Sequence, residues 1–234
     1  MSEFKRQPVI QEKTIGSAWL HLLALTASAG EEVQDAQQGT ILEILSPQLE
    51  IPLVSFPDSI VSSLGSEEMI ESMRRNFFSV QPVSTWGFSY GERLFAVGGR
   101  NQVEWAASRL QRDPNTKSAT ISLLDPAQKF EHIPCVAAID LKIRADRLRM
   151  HSFLRSSDVF RKFYADAACI LELGQKLVGP LSVSGIDLIF SIASAHLYLK
   201  DVEAACALLK AAEEAHAPVA ASDAVQRLSA VLHR

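Results

Sequence analysis

Apolar residues recur at helical spacing in three stretches of the first half of the chain. This spacing predicts helices over residues 14–29, 66–78 and 98–112. Between the first two helices, residues 40–53 are rich in Ile and Leu and are interrupted by prolines. That pattern predicts two short strands around a turn.

The second half changes from strand spacing to helical spacing and back. Apolar and polar residues alternate over residues 136–143 and 148–155, and the turn at 144–147 joins them into a predicted hairpin. The other predicted elements are a strand, a helix, a second strand and two final helices, at residues 117–124, 158–177, 186–199, 202–215 and 222–232. This order predicts an α+β fold with a mixed β-sheet flanked by helices, and we expect residues 1–234 to form a single domain.

Composition narrows the class of protein. Of the 234 residues, 47% are hydrophobic and 21% are charged, as in ordinary globular proteins. The net charge of −4 and the lack of a basic block argue against a nucleic-acid-binding protein. The longest apolar stretch, residues 18–27, contains His21 and is too short to cross a membrane. Three cysteines give no disulfide framework, which is typical of a reducing compartment, so we expect a soluble cytoplasmic protein. The six histidines have no metal-ligand spacing, so we expect no metal.

Short motifs in a fixed order point to a family. Residues 113–117 read Asp-Pro-Asn-Thr-Lys, and Pro134-Cys135 follow them. Residues 155–160 read Arg-Ser-Ser-Asp-Val-Phe, and residues 196–198 read His-Leu-Tyr. Together these segments resemble the thymidylate synthase family, which includes the cytidylate and deoxycytidylate hydroxymethylases. The resemblance covers the second half of the chain well and the first half loosely, and it implies a thymidylate synthase-like fold.

The resemblance places Cys135 where the family has its nucleophile. C5 of a pyrimidine is a poor nucleophile, and a thiolate that adds to C6 makes C5 reactive toward a one-carbon unit. A thiol must ionise for this, and a cation beside it helps. Arg155 would supply that cation and would also bind a phosphate, together with the Ser156 hydroxyl.

Further roles are implied by the resemblance alone. His196 and Tyr198 would bind the ribose hydroxyl, while Asp158 would face both the folate and the ring as a catalytic and cofactor-binding residue. The cofactor would be 5,10-methylenetetrahydrofolate, the substrate a small pyrimidine, and the protein a homodimer packed through its sheet. Trp86 and Tyr90 match a segment that lines the folate side, and Glu67 is the match for a catalytic glutamate.

Asp166 bears on the identity of the base. It falls where thymidylate synthases have an asparagine that binds the uracil edge and where the cytosine-using hydroxymethylases have an aspartate. A carboxyl group accepts a hydrogen bond from the cytosine amino group and, when protonated, donates one to N3. Asp166 therefore favours a cytosine ring.

The phosphate-binding groups of the family are incomplete in this chain. No arginine occurs between Arg6 and Arg74, where the family has a phosphate-binding loop arginine. The paired arginines that the family donates across the dimer are Lys117 and Ser118 here. Each lost charged contact weakens binding by roughly 1.5–3 kcal/mol, so phosphate would be held weakly, or the substrate lacks one. The family's C-terminal tail is not recognisable either, which bears on folate use.

Each candidate residue also has a simpler structural interpretation. Cys135 and His196 could be core residues, and Arg155 could form a surface ion pair. Asp158 could be only a helix cap, and Asp166 and Glu67 could be solvated helix residues.

Three functions remain open from the sequence. The first is a hydroxymethylase-type C5 transferase acting on a cytosine nucleotide or nucleoside. The second is a diverged enzyme acting on another pyrimidine-like substrate, and the third is an inactive dimeric homologue that binds a nucleotide.

Overall fold

The helices and strands of the chain were traced in a computed structural model, which describes residues 9–83, 87–125 and 133–233. Within these residues the helices are α1 (Ile15–Ala29), α2 (Ser59–Leu64), α3 (Glu67–Phe78), α4 (Tyr90–Phe95), α5 (Gln102–Arg112), α6 (Phe163–Leu181), α7 (Val202–Glu214) and α8 (Ser222–Leu232). The strands are β1 (Val9–Gln11), β2 (Glu31–Asp35), β3 (Gly39–Leu45), β4 (Gln48–Ile51), β5 (Thr120–Ser122), β6 (Val136–Arg144), β7 (Arg147–Leu154), β8 (Ser157–Asp158), β9 (Gly185–Ile192) and β10 (Ser194–Tyr198). The predicted α+β class with mixed strand pairing is confirmed.

The strands form two sheets. The larger sheet has the order β1-β4-β9-β7-β6-β5, and the smaller one has the order β2-β3-β10-β8. Both are mixed, since β7 pairs with β9 and β8 with β10 in parallel, while most other neighbours are antiparallel. The sequence predicted one sheet, and the second one was missed because β2 is exposed along its whole length and lacks apolar alternation.

One face of the larger sheet is packed on helices and the other is open. Along β7, Leu148, Met150 and Leu154 are fully buried, whereas His151 and Phe153 on the opposite face are exposed. This alternation is what a strand with one packed face requires. Helices α1 and α6 pack against the buried face, and α1 also packs against the smaller sheet. The core therefore lies between the sheets and these two helices.

The hairpin of β6 and β7 turns within the predicted residues 144–147, and two residues link the strands. Ala145 and Asp146 both have positive φ, +50° and +59°. Two left-handed residues in succession form the turn type whose twist matches that of the paired strands. The sequence prediction for residues 136–155 is confirmed.

Two helices begin later than predicted. Helix α6 begins at Phe163 rather than at residue 158, because Ser157 and Asp158 pair with β10 before the chain turns. Helix α5 begins at Gln102 rather than at residue 98, because the preceding glycines have left-handed backbone angles and Asn101 caps the helix.

The single strand predicted over residues 186–199 is two strands in different sheets. Strand β9 belongs to the larger sheet and β10 to the smaller one, with Ala193 between them. Both were expected as strands, but the break was not. No helix in the described ranges is long and apolar enough to cross a membrane.

Candidate active site

Cys135 lies immediately before β6, partly exposed, next to Arg155 and Ser156. The Ser156 hydroxyl donates to the Cys135 Sγ at 3.4 Å, and Arg155 Nη2 lies 4.0 Å from the same sulfur. The backbone holds the two segments together, since the Arg155 N–H donates to the Cys135 carbonyl at 2.9 Å. A guanidinium and a hydroxyl donor are thus placed where they can hydrogen-bond a negative charge that forms on the sulfur during a reaction.

The Arg155 side chain donates hydrogen bonds to backbone carbonyls and to Ser156. Its Nε donates to the Pro134 carbonyl at 3.0 Å, and its Nη2 donates to the Ile133 carbonyl at 2.6 Å. Its Nη1 donates to Ser156 Oγ at 3.2 Å. The guanidinium therefore fixes the segment that carries Cys135, and it forms no ion pair with the acidic residues that the structure describes.

Tyr90, the first residue of α4, forms hydrogen bonds with the backbone of the same segment. Its hydroxyl accepts hydrogen bonds from the backbone N–H groups of Cys135 and Val136, at 3.1 and 3.4 Å. The ring is 3% exposed and meets Phe77 edge to face. Burial raises the pKa of Tyr90 well above its usual value, and the negative charges of Asp166 and Cys135 raise it further. Sequence reasoning placed Tyr90 only on the cofactor side and missed its contact with the nucleophile segment.

Asp166 lies in the first turn of α6 and is 3% exposed. Its Oδ1 has no hydrogen-bond partner among the described residues. Burial raises the pKa of this carboxyl to about 7, Lys162 opposes the shift, and Asp158 adds to it. A buried carboxyl with a pKa near 7 is partly protonated at neutral pH. Its Oδ1 is still available for a hydrogen bond with a ligand. The alternative of a solvated Asp166 is wrong.

Asp158, His196 and Tyr198 lie together on the smaller sheet. Asp158 pairs directly with His196 across β8 and β10, and the His196 Nε2 lies 3.3 Å from the Tyr198 hydroxyl. Asp158 Oδ1 accepts from the N–H groups of Phe160 and Arg161, so it also fixes the turn before α6.

Burial controls the protonation of these three groups. It raises the pKa of Asp158 and of Tyr198, and it lowers the pKa of His196. The Asp158 carboxylate opposes the shift of His196 and reinforces that of Tyr198, to which the negative charge of Cys135 also contributes.

Two predicted site residues, Lys117 and Glu67, make no described contact with this group, and a third lies outside the described residues. Lys117 is exposed on the loop before β5, beside Ser118, whose hydroxyl accepts from Arg109 at 2.6 Å. Glu67 is exposed in the first turn of α3, on a cavity of about 1000 Å³ between α2, α3 and α6 whose described lining does not include Cys135. Trp86 lies outside the described residues.

Comparison with known proteins identifies the family of the chain. The profile of the family described as Thymidylate synthase matches residues 73–230. A protein of Methanosarcina mazei is 25% identical over 86% of this chain and 94% of its own length. One from Methanopyrus kandleri is 29% identical over 84% of this chain and 96% of its own length. Both are named "Putative thymidylate synthase". Because the family profile covers more than half of the chain, the protein belongs to the thymidylate synthase family, whose chemistry is one-carbon transfer to pyrimidines.

Proposed function

We propose that the protein transfers a one-carbon unit to C5 of a cytosine nucleotide or nucleoside, in a hydroxymethylase-type reaction. Family membership supports the reaction class, and the state of Asp166 supports the base. Its carboxyl is buried, has a pKa of about 7 and has an oxygen without a partner among the described residues. A carboxyl with this pKa can bind a proton near neutral pH. In its protonated form it complements the cytosine edge, since its carbonyl oxygen accepts from the amino group and its O–H donates to N3.

In the proposed reaction the Cys135 thiolate adds to C6 of the ring. The electron pair of the C5–C6 double bond then becomes available at C5, which forms the bond to the one-carbon unit. Loss of the C5 proton, with cleavage of the bond between the one-carbon unit and the amine nitrogen of its donor, would give an exocyclic methylene. Hydroxide from water would then add to the methylene carbon and return an electron pair to C5, and the remaining proton would go to the solvent. Elimination of the thiolate from C6 restores the ring. Arg155 and Ser156 would stabilise the thiolate at the start and the end of this sequence.

We assign the sugar to His196 and Tyr198. Burial lowers the pKa of His196, so its ring is neutral at neutral pH. A neutral imidazole and a phenol together offer both a donor and an acceptor, which a sugar hydroxyl requires.

The proposed carbon donor is 5,10-methylenetetrahydrofolate, which when bound supplies a carbon at the oxidation level of formaldehyde. The residues present fit its donor groups in part. The buried Asp158 carboxyl is an acceptor for the amino and ring N–H groups of a pterin. Asp158 is also fixed by two backbone N–H groups, so it would bind without rearrangement.

The nucleophile is tested by adduct formation and by proton release. Protein incubated with a cytosine nucleoside or nucleotide and folate should release tritium from C5 and gain a mass adduct on Cys135. Cys135→Ser should abolish both, whereas Cys206→Ser, at a buried thiol on α7, should not. Tritium release that persists in Cys135→Ser would contradict the proposal.

A further inference from the structure

The proposed site offers two reactive groups to one pyrimidine ring. Cys135 is partly exposed and is the proposed nucleophile for C6. Asp166, the group assigned to N3 and the amino group, is 3% exposed, and its Oδ1 has no hydrogen-bond partner among the described residues. A carboxyl oxygen without a protein donor can exchange protons with a ligand. The ring would thus meet a nucleophile at C6 and a proton carrier at its N3 edge.

Tyr90 links the two residues. Its hydroxyl accepts the Cys135 N–H at 3.1 Å. Burial raises its pKa, and the negative charge of Asp166 raises it further. Helix α3 packs against both α4, which begins with Tyr90, and α6, which carries Asp166 in its first turn. The groups that would act on C6 and on the N3 edge therefore approach the same buried tyrosine.

Addition at C6 changes the reactivity of C4 as well as that of C5. In intact cytosine, C4 belongs to the conjugated ring and resists attack by water. Once the thiolate has bonded to C6 and a proton to C5, the C5–C6 double bond is gone, and C4 is the carbon of an isolated amidine. A proton on N3 then makes that carbon electrophilic. Enzymes that deaminate cytosine likewise use a carboxyl group as general acid and base while water attacks C4.

Resting on the function proposed above, we propose that the site has a second activity, the hydrolytic deamination of the cytosine nucleoside or nucleotide to its uracil form. It occurs when a solvent proton, rather than a one-carbon unit, bonds to C5. Cys135 forms the C6 adduct, and Asp166 moves the protons at the N3 edge. A one-carbon donor competes for the electron pair at C5, so deamination should decrease as the donor concentration rises.

The steps consume one water and release one ammonia. Asp166 gives its proton to N3, and the oxygen of water bonds to C4 and passes a proton to the Asp166 carboxylate. The amino nitrogen takes that proton and leaves as ammonia when the C4–N bond breaks, while the C4 hydroxyl returns a proton to Asp166 and becomes a carbonyl. Loss of the C5 proton then expels the Cys135 thiolate from C6 and restores the double bond. No oxidant or reductant is needed.

The test incubates the full chain with cytidine or its monophosphate, without folate, in water labelled with heavy oxygen. Mass spectrometry should detect a uracil product that carries the heavy oxygen at C4, and ammonia should appear in equal amount. Addition of 5,10-methylenetetrahydrofolate should suppress the product. A metal chelator should not change the rate, which separates this activity from that of a contaminating zinc deaminase.

Two variants assign the activity to the site. Cys135→Ser should abolish it, because the C6 adduct does not form. Asp166→Asn has no carboxyl proton to give to N3, so it should deaminate at least about a hundredfold more slowly at a cytidine concentration that titration shows to be saturating. Cys206→Ser and Asp223→Asn make the same changes at a buried thiol of α7 and at an exposed position of α8, and both should keep the wild-type rate.

The outcomes separate this inference from the function on which it rests. Tritium release from C5 and an adduct on Cys135 in the presence of folate, without a uracil product in its absence, overturn the inference and leave the proposed function standing. A uracil product that persists in Cys135→Ser, that is lost on chelation, or that forms at the wild-type rate in Asp166→Asn also overturns the inference. Absence of tritium release, adduct and uracil product overturns the proposed function, and the inference with it.

Discussion

At the scale of single residues, Asp166 combines a buried position with an unsatisfied oxygen. Such a group destabilises a fold unless a ligand or a proton compensates it. Its place on a helix was predicted from the sequence, but its burial was not, because it lies beside the main apolar stripe of that helix. Only the packing around α6 places it in the interior.

The base preference should depend on this carboxyl. In Asp166→Asn the amide presents a fixed donor and acceptor that match the uracil edge, so preference should move from cytidine toward uridine by tenfold or more. Competition between the two nucleosides, read by tritium release or by titration, measures the shift. An unchanged preference would refute the assignment of Asp166 to the base edge.

The same substitution should change how stability depends on pH. The folded-state pKa of Asp166, about 7, lies above the value of about 3.9 for a free aspartate, so the folded protein binds this proton more tightly. Its stabilising contribution is complete below pH ~4 and is lost as the pH rises through 7. Asp166→Asn should therefore be more stable than the wild type by about 2 kcal/mol at pH 8, with the difference shrinking toward pH 4. Urea unfolding at several pH values tests this, and Asp223→Asn, at an exposed position of α8, should give no such trend.

At the scale of secondary-structure elements, α4 supports the nucleophile segment. The Tyr90 hydroxyl of α4 accepts from two N–H groups at the start of β6, and Arg93 forms a buried ion pair with Asp125 just after β5. A helix of six residues thus joins the ends of two neighbouring strands. Its role depends on these side-chain contacts more than on its own length.

Removing the Tyr90 hydroxyl should affect both stability and the thiol. Tyr90→Phe leaves two N–H groups without their acceptor, which should cost about 1–3 kcal/mol of unfolding free energy and change the alkylation rate of Cys135. Tyr164→Phe is the matched control, since its hydroxyl accepts from the Ser66 N–H at 2.9 Å, away from the thiol. A similar loss of stability in both variants, with the Cys135 alkylation rate altered in Tyr90→Phe alone, is the expected result. Equal alkylation rates would exclude a positioning role for Tyr90.

Elements with a clear apolar period were predictable, and their ends often were not. The helix at α1, the hairpin of β6 and β7, and the two final helices follow directly from periodicity and turn residues. Strand β8 has two residues and exists only through pairing with β10, so no local pattern could predict it. Among the candidate site residues, motif order predicted both of the contacting sets, which are Cys135 with Arg155 and Ser156, and Asp158 with His196 and Tyr198. It could not predict that Glu43 lies beside His196, because that contact comes from the pairing of β3 with β10, over more than 100 positions of sequence.

At the scale of the whole molecule, the candidate site lies where the two sheets meet. Cys135 and Arg155 flank strands of the larger sheet, while Asp158, His196 and Tyr198 belong to the smaller one. The open face of the larger sheet lies opposite its helix-covered face and carries His151, Phe153 and Ile189. We propose that this face binds a second copy of the chain.

A negative charge on the open face of the larger sheet should separate the two copies of the chain. Phe153 is 45% exposed, and Phe153→Glu would place a carboxylate in each half of a symmetric contact. Light scattering coupled to gel filtration should then change from a dimer to a monomer. Trp105→Glu is the control, because Trp105 is 46% exposed on α5 and its replacement should leave the dimer intact. A monomeric wild type, or a dimer that survives Phe153→Glu, would refute the assignment.

The break at Ala193 has a consequence for how the gene tolerates changes in length. In β9 the even-numbered residues Leu188, Phe190 and Ile192 face the core, but in β10 the odd-numbered Ala195 and Leu197 do so. The break inverts the side-chain alternation, and this inversion turns His196 and Tyr198 toward the site. Deleting one codon next to Ala193 would leave every motif intact in the sequence. The residues of β10 that now face the core would then face the site, and His196 and Tyr198 would face the core.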